Sequence, residues 1–337
     1  MNTPAGPSPQ RIQQFAWGYT STLIIQAAVE HRIFDLLHVV PRTLEELVVV
    51  SGTSMRGLRA LMGGLIGLEL VVLQGDRYAL TPESATFLVS SSPASMGAFF
   101  HHSGRQLIPA WLKLPEAVQT GRPAERVNAE GPGAKFFADF VESLFPMSFP
   151  VATLLGEHLG IAHAQAPLSV LDLGAGSGVW GIALAKQSSQ VRIRAVDWPK
   201  VLEVTRKVAN RHGLADRLTL APGDFATADF GSGHHVATIG HILHSEGVER
   251  SKALLKKTFD ALAPGGTVAI MEFLLNDDRQ GPPPSLIFAI NMLVNTDEGD
   301  AFSFAEISAW LLEVGFLNPR LLPGPGVSPL VLATKPG

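Results

Sequence analysis

Residues Val170 to Gly178, read as Val-Leu-Asp-Leu-Gly-Ala-Gly-Ser-Gly, constrain the fold more than any other stretch of the 337-residue chain. Val170 to Leu173 have the mostly apolar character of a strand buried in a parallel sheet. Three glycines follow at alternate positions, Gly174, Gly176 and Gly178. Without Cβ atoms the chain can turn tightly there, and a ligand can come against bare backbone. Ile182 to Lys186 then read as the start of a helix whose N-terminal amides face that ligand. The pattern repeats downstream. Strands are expected at 168–173, 191–197, 217–221, 235–240 and 267–272, with a final pair near 319–322 and 330–334. Their alternation with helical stretches makes a doubly wound α/β sheet.

Glycine spacing separates ligand classes. A dinucleotide fingerprint is G-x-G-x-x-G, which would need a glycine at 179, where the chain has Val179. The spacing is G-x-G-x-G, preceded by Asp172, an acid that would repel a pyrophosphate and suits a cationic ligand. That spacing resembles the S-adenosylmethionine binders. A second acid, Asp197, closes the next strand about twenty positions past the glycines, the interval at which a carboxylate meets ribose hydroxyls. It is followed by Trp198 and Pro199. A third, Asp224, sits in Gly223-Asp-Phe225 and can accept from an adenine amino group while Phe225 packs on the ring. S-adenosylmethionine is therefore the expected cofactor, held by Asp172, Gly174, Gly176, Gly178, Asp197, Trp198, Asp224 and Phe225.

The chain is long for one core and suggests more than one domain. Residues 11–100 read as a helical module. Phe15 to Glu30 and Ile33 to Leu37 are apolar almost all round, as in a buried or interface helix. Thr43 and Ser54 are N-cap residues, and Leu70 to Pro82 form a hairpin turning at Gly75-Asp76. Helix, turn, helix, hairpin is a winged-helix pattern. Its two readings are DNA binding and dimerisation. Only Arg56, Arg59 and Arg77 are basic between 55 and 81, and the net charge is −4, which favours dimerisation over a phosphate grip. Residues 101–165 read as a helical linker contributing to an acceptor pocket, with Trp111 to Val118 and Phe136 to Leu159 as helices, the second broken by prolines. Residues 166–337 are the cofactor-binding domain. With no cysteine, disulfides and thiolate metal sites are excluded. No apolar run reaches a membrane span and no signal-peptide core opens the chain, so a cytoplasmic location is the default expectation. Apolar residues make up 46% and charged ones 17%, a balance that hints at an extensive subunit interface.

Two strand ends carry the chemistry. One runs into His241-Ile-Leu-His244 and the other into Glu272. Both should face the crevice outside the carboxyl ends of the sheet. A neutral imidazole can take the proton of a hydroxyl near pH 7, and a carboxylate on its other nitrogen fixes the tautomer. His244 as base and Glu272 as its flanking carboxylate fit those roles. Leu243-His244 follows Gly223-Asp-Phe225 and precedes Ala261-Leu-Ala-Pro-Gly-Gly266 and Met271-Glu272. In this order the motifs are similar to the small-molecule O-methyltransferases of bacteria and plants, over nearly the whole chain. The resemblance implies a Rossmann-like methyltransferase sheet behind an N-terminal all-α winged-helix domain. That domain would make an intertwined homodimer and lend residues to the partner's pocket. It implies Asp197 on the ribose, Asp224 and Phe225 on adenine and Gly174 to Gly178 at the methionine end. His244 would be the base.

Departures from the family pattern fall at Ser245-Glu246, Ala289 and Ala301, and at Gly240, where the family carries a lysine. They motivate two alternatives: transfer to carbon or nitrogen, and cofactor binding without transfer. The acceptor pocket is expected from Phe145, Met147 and Phe149 together with Phe288, Asn291, Met292 and Asn295, the last four sharing one helical face. Plain core packing is the competing reading of that face. An apolar lining with a few amides suits a flat aromatic or polyketide-like acceptor. The adjacent pairs His101-His102 and His234-His235 point to opposite faces of a strand, poor geometry for a shared ion, so no metal is expected. His234-His235 is expected on the surface before its strand. No nucleic-acid or membrane partner is expected.

Overall fold

Capping residues set where the first helices begin. Thr43 accepts from the Glu46 amide while the Glu46 side chain accepts from the Thr43 amide, a full capping box. Ser54 caps the next helix with a single bond, its side chain accepting from the Gly57 amide. The computed structural model describes residues 7–124, 126–326 and 328–337. The chain divides into two compact units, one reaching Pro109 and one from Ala110 onward.

The first unit holds α1 (Gln10–Ala16), α2 (Gly18–Glu30), α3 (Ile33–Val39), α4 (Leu44–Ser51) and α5 (Met55–Gly67), then a hairpin, β1 (Val71–Gln74) and β2 (Arg77–Leu80), then α6 (Pro82–Phe87) and α7 (Gly97–His102). The hairpin turns at Gly75-Asp76, as expected. Phe34, Leu47, Leu58, Met62 and Leu65 fill the core of this unit. The apolar stretch 15–30 is only partly buried within it, with Ile24, Ile25 and Val29 packed against that core. Phe15, Trp17 and Tyr19 are 65%, 68% and 55% exposed, and only Ala28 of α2 is buried. The interface half of that expectation is the half this unit leaves open.

α8 (Ile108–Trp111) straddles the division, and α9 (Leu114–Thr120) ends at a left-handed Gly121. α10 (Glu130–Phe140) and α11 (Phe145–His158) are separated by a tight turn at Val141–Leu144. The expected break therefore falls just before Pro146, which sits in the first turn of α11 where its missing N–H costs nothing.

The remaining elements alternate. They are β3 (Leu168–Leu173), α12 (Val179–Gln187), β4 (Val191–Asp197), α13 (Pro199–Arg211), β5 (Leu218–Pro222), β6 (His234–Gly240), α14 (Leu243–Ala261), β7 (Leu262–Met271), α15 (Pro283–Asn295), α16 (Phe304–Val314), β8 (Leu317–Leu322) and β9 (Leu330–Thr334). The strands form one sheet in the order β5-β4-β3-β6-β7-β9-β8. β3 to β7 run parallel, while β9 is antiparallel to β7 and to β8. One face packs on Leu155, Ile182 and Leu202, the other on Leu254, Leu255 and Leu311. The order reverses at β3, so a crevice opens outside the carboxyl ends of β3 and β6. His234 departs from its expected surface position. It opens β6, buried, with Nε2 2.7 Å from the Phe230 carbonyl and Nδ1 2.8 Å from Ser169 Oγ. Among the described residues, no helix is long and apolar enough to cross a membrane.

Candidate active site

Gly174, Gly176 and Gly178 all adopt left-handed backbone, with φ of 62°, 55° and 77°, a conformation that penalises any Cβ. A Cβ on Gly174 would overlap the Ile242 side chain, and one on Gly176 would press on Val141 at 3.3 Å. Gly174 to Ser177 form one wall of a cleft that Asp197, Trp198, Asp224, Phe225, Gly240 and His244 also line. Gly178 is not on that wall. It starts α12, and its Cβ would meet Thr205 Cγ2 at 2.9 Å.

Asp197 is tied down by backbone. The Gly176 amide donates to Oδ2 (2.8 Å) and the Trp198 amide to Oδ1 (2.7 Å). Each oxygen keeps a free lone pair for a hydroxyl. Burial pushes this carboxyl up to about 6, against the pull of those two amides. Asp224 receives the Ala226 amide on Oδ1 (2.9 Å) and the Arg250 guanidinium on Oδ2 (3.2 Å). The same guanidinium donates to Glu246 Oε2 at 2.6 Å, so one cation joins the loop after β5 to α14. Asp172, expected at the cofactor, is fully buried behind the glycine loop. Its oxygens accept from the Gly181 amide (3.0 Å) and from Thr238 Oγ1 (2.9 Å), which fastens α12 to β6. Burial pushes Asp172 up to about 7.

His244 and Glu272 meet as expected. Nδ1 lies 2.6 Å from Glu272 Oε2, and both residues are buried. A carboxylate in this position accepts from an Nδ1–H, and in the neutral tautomer that bond favours the lone pair is on Nε2. Burial works to raise the Glu272 pKa, but the adjacent His244 imidazole and its hydrogen bond hold it below the ordinary carboxylate range. His241 joins them at left-handed φ 59°. Its buried Nδ1 has no hydrogen-bond partner and lies 4.0 Å from the same Glu272 oxygen. Burial pushes it down to about 4, so this imidazole is neutral at pH 7. Potential ligand atoms of the three residues lie within 4.8 Å of one another. Two ligands of one zinc ion stand roughly 3.3 Å apart at ordinary bond lengths, and the 2.6 Å His244–Glu272 contact is a hydrogen bond instead.

The expected acceptor pocket is only partly assembled. Phe145 stacks on Phe149 and on His212, both with centroids 5.3 Å away, and Met147 is 43% exposed; none of the three lines the cleft. The same stretch contributes Phe137, Val141, Leu144 and Ser148 instead. These positions form their own helical stripe, which choosing by aromatic content overlooked. Phe288 packs edge-on against the His244 ring at 4.7 Å. Asn291 accepts from the Trp111 indole (2.8 Å) and from Asn295 Nδ2 (3.1 Å), and Met292 and Asn295 are buried, so these three hold α15 in place. Sequence reasoning also missed Asn128, Ser177, Trp180 and Glu246 on the cleft wall. Asn128 donates to the Ser245 carbonyl and leaves a buried Oδ1 without a partner. Bare glycine backbone, acceptors for hydroxyls and acids for a positive charge together fit a sulfonium nucleoside.

Comparison with known proteins agrees with that chemistry. An O-methyltransferase domain model matches residues 153–317, and an O-methyltransferase dimerisation domain model matches residues 13–90. The chain is 28% identical to the tetracenomycin polyketide synthesis 8-O-methyl transferase of Streptomyces glaucescens, over 97% of each chain. A solved Nostoc punctiforme structure described as an O-methyltransferase is 30% identical, with a TM-score of 0.89 over 98% of this chain and 100% of its own. Human N-acetylserotonin methyltransferase, solved with S-adenosylmethionine, shares the fold at a TM-score of 0.84 and 23% identity, over all of both chains. The chain belongs to this family, as an S-adenosylmethionine-dependent O-methyltransferase with an N-terminal dimerisation domain.

Proposed function

We propose that the enzyme methylates a hydroxyl of a small aromatic or polyketide-like metabolite, with His244 as general base, and that it works as a homodimer. The observation that carries the base assignment is the 2.6 Å contact between His244 Nδ1 and Glu272 Oε2. A buried carboxylate on one ring nitrogen directs the basic lone pair of the other away from itself. The cofactor supplies an electrophilic methyl group. Asp197 accepts from the ribose hydroxyls, Asp224 from the adenine amine, and Phe225 packs on the base. Nε2 of His244 removes the acceptor proton as its oxygen becomes nucleophilic. Glu272 stabilises the imidazolium that results. Phe288, edge-on to that imidazole, gives the acceptor ring an apolar surface beside the base. The name of the Streptomyces relative, a polyketide O-methyl transferase, supports this class of acceptor. His244→Ala should cut turnover of a phenolic acceptor at least about tenfold, within the usual range for a general base. Affinity for S-adenosylhomocysteine should stay nearly unchanged. Unaltered turnover would remove His244 from the mechanism.

A further inference from the structure

We propose that the indole N–H of Trp180 binds the carboxylate of the cofactor's amino-acid end. Trp180 is the second residue of α12, directly behind the glycine loop, and lines the cleft although only 4% exposed. Among the described residues its indole nitrogen makes no hydrogen bond, and it is not sealed off from the cleft. Buried indole N–H groups normally find an acceptor. Gly240, at the end of β6, explains how this one reaches the cleft. A Cβ there would overlap Nε1 outright. Gly240 is not among the glycines with positive φ, so its backbone does not require glycine. The missing side chain serves close approach, and the indole edge occupies the space.

The charge balance of the cleft selects the partner. Among the described residues, Asp197, Asp224 and Glu246 line it, the last two paired with Arg250 from outside the lining, and no lysine or arginine does. Those acids suit the ammonium, the hydroxyls and the sulfonium charge. The carboxylate of the same ligand must be met by neutral donors. Two nearby amides, of Gly176 and Trp198, are already spent on Asp197. An indole nitrogen is a donor only, so it can serve the carboxylate and cannot serve the ammonium.

The assignment rests on the placement of the nucleoside between Asp197 and Asp224, and the test separates the two. Dissociation constants are measured by calorimetry for S-adenosylhomocysteine and for its decarboxylated analogue, which keeps the nucleoside and the ammonium. Trp180→Phe should weaken S-adenosylhomocysteine about tenfold, the scale of one hydrogen bond to a charged group. The decarboxylated analogue should change by less than about twofold. Gly240→Ala leaves Trp180 in the chain but displaces its indole, and should show the same selective loss should the phenylalanine variant fold poorly. Equal weakening of both ligands, or of neither, in the variant that folds overturns the assignment. Failure of the unmodified protein to bind either ligand overturns the nucleoside placement as well.

Discussion

Two aspartates in the same domain carry raised pKa values with different consequences. In the proposed cofactor placement Asp197 must be ionised to accept from two hydroxyls, and its pKa is pushed up to about 6. Cofactor affinity should therefore hold above neutrality and fall as pH drops through that value. Between pH 7.5 and 5 the loss should be about tenfold, because roughly a tenth of the carboxyl stays ionised one unit below its pKa. Asp197→Asn should weaken binding by about 1 kcal/mol or more and flatten the profile; a wild-type affinity that does not change with pH would refute the placement. The placement of Asp197, Asp224 and Glu272 was legible in sequence because each sits at or just past a strand end, and that of His244 because it opens α14 just beyond β6, where the fold aims side chains into the crevice. Asp172 was misread for the same reason. It lies one residue short of the strand's end, and strand alternation turns it inward to Thr238. Trp180 was not legible at all, because the role proposed for it depends on the absence of a side chain at Gly240, in another element.

At the scale of elements, Asp172 ties α12 to β6 from a fully buried site. Its pKa is raised from 3.8 to about 7. The stability it contributes is complete below the unfolded value and is lost as pH rises through about 7, because ionisation in the buried site is disfavoured. Asp172→Asn stays neutral throughout. Its melting temperature should gain on the wild type between pH 5 and 8, as read by a thermal scan; a difference independent of pH would show that the carboxyl ionises in the folded protein as readily as in the unfolded chain. Strand positions were well read from sequence, since β4 spans Val191–Asp197 as expected and buried apolar runs between glycine-rich turns leave little choice. Helix phase was harder. The stripe at 137, 141, 144 and 148 crosses a tight turn at Val141–Leu144, and a period of 3.6 residues cannot be extended through such a change of pitch.

For the whole molecule, the exposed aromatic residues of the first unit are the feature that most needs an explanation. Ile12, Phe15, Trp17 and Tyr19 are each more than half exposed, on a segment inside or beside the matched dimerisation domain. Contiguous apolar surface of that kind marks an association site. The full chain should sediment as a dimer, and Phe15→Glu combined with Trp17→Glu should shift it toward monomer. A monomeric wild type at micromolar concentration would refute the homodimer. The low charged fraction suggested an interface from composition alone, but its location followed only once α1 and α2 were seen to leave those side chains outside the core of their unit.

The sheet order has one more consequence, for biosynthesis. β9 comes last among the strands in sequence, yet it is inserted between β7 and β8. Until residues 330–334 have been made, a nascent chain carries β7 with a raw edge of unpaired amides and carbonyls, and β8 with no neighbour to pair with. Those exposed edges invite pairing with other chains. Chaperone dependence and co-translational aggregation should therefore concentrate in the interval before residues 330–334 emerge, when most of the domain exists but cannot yet close.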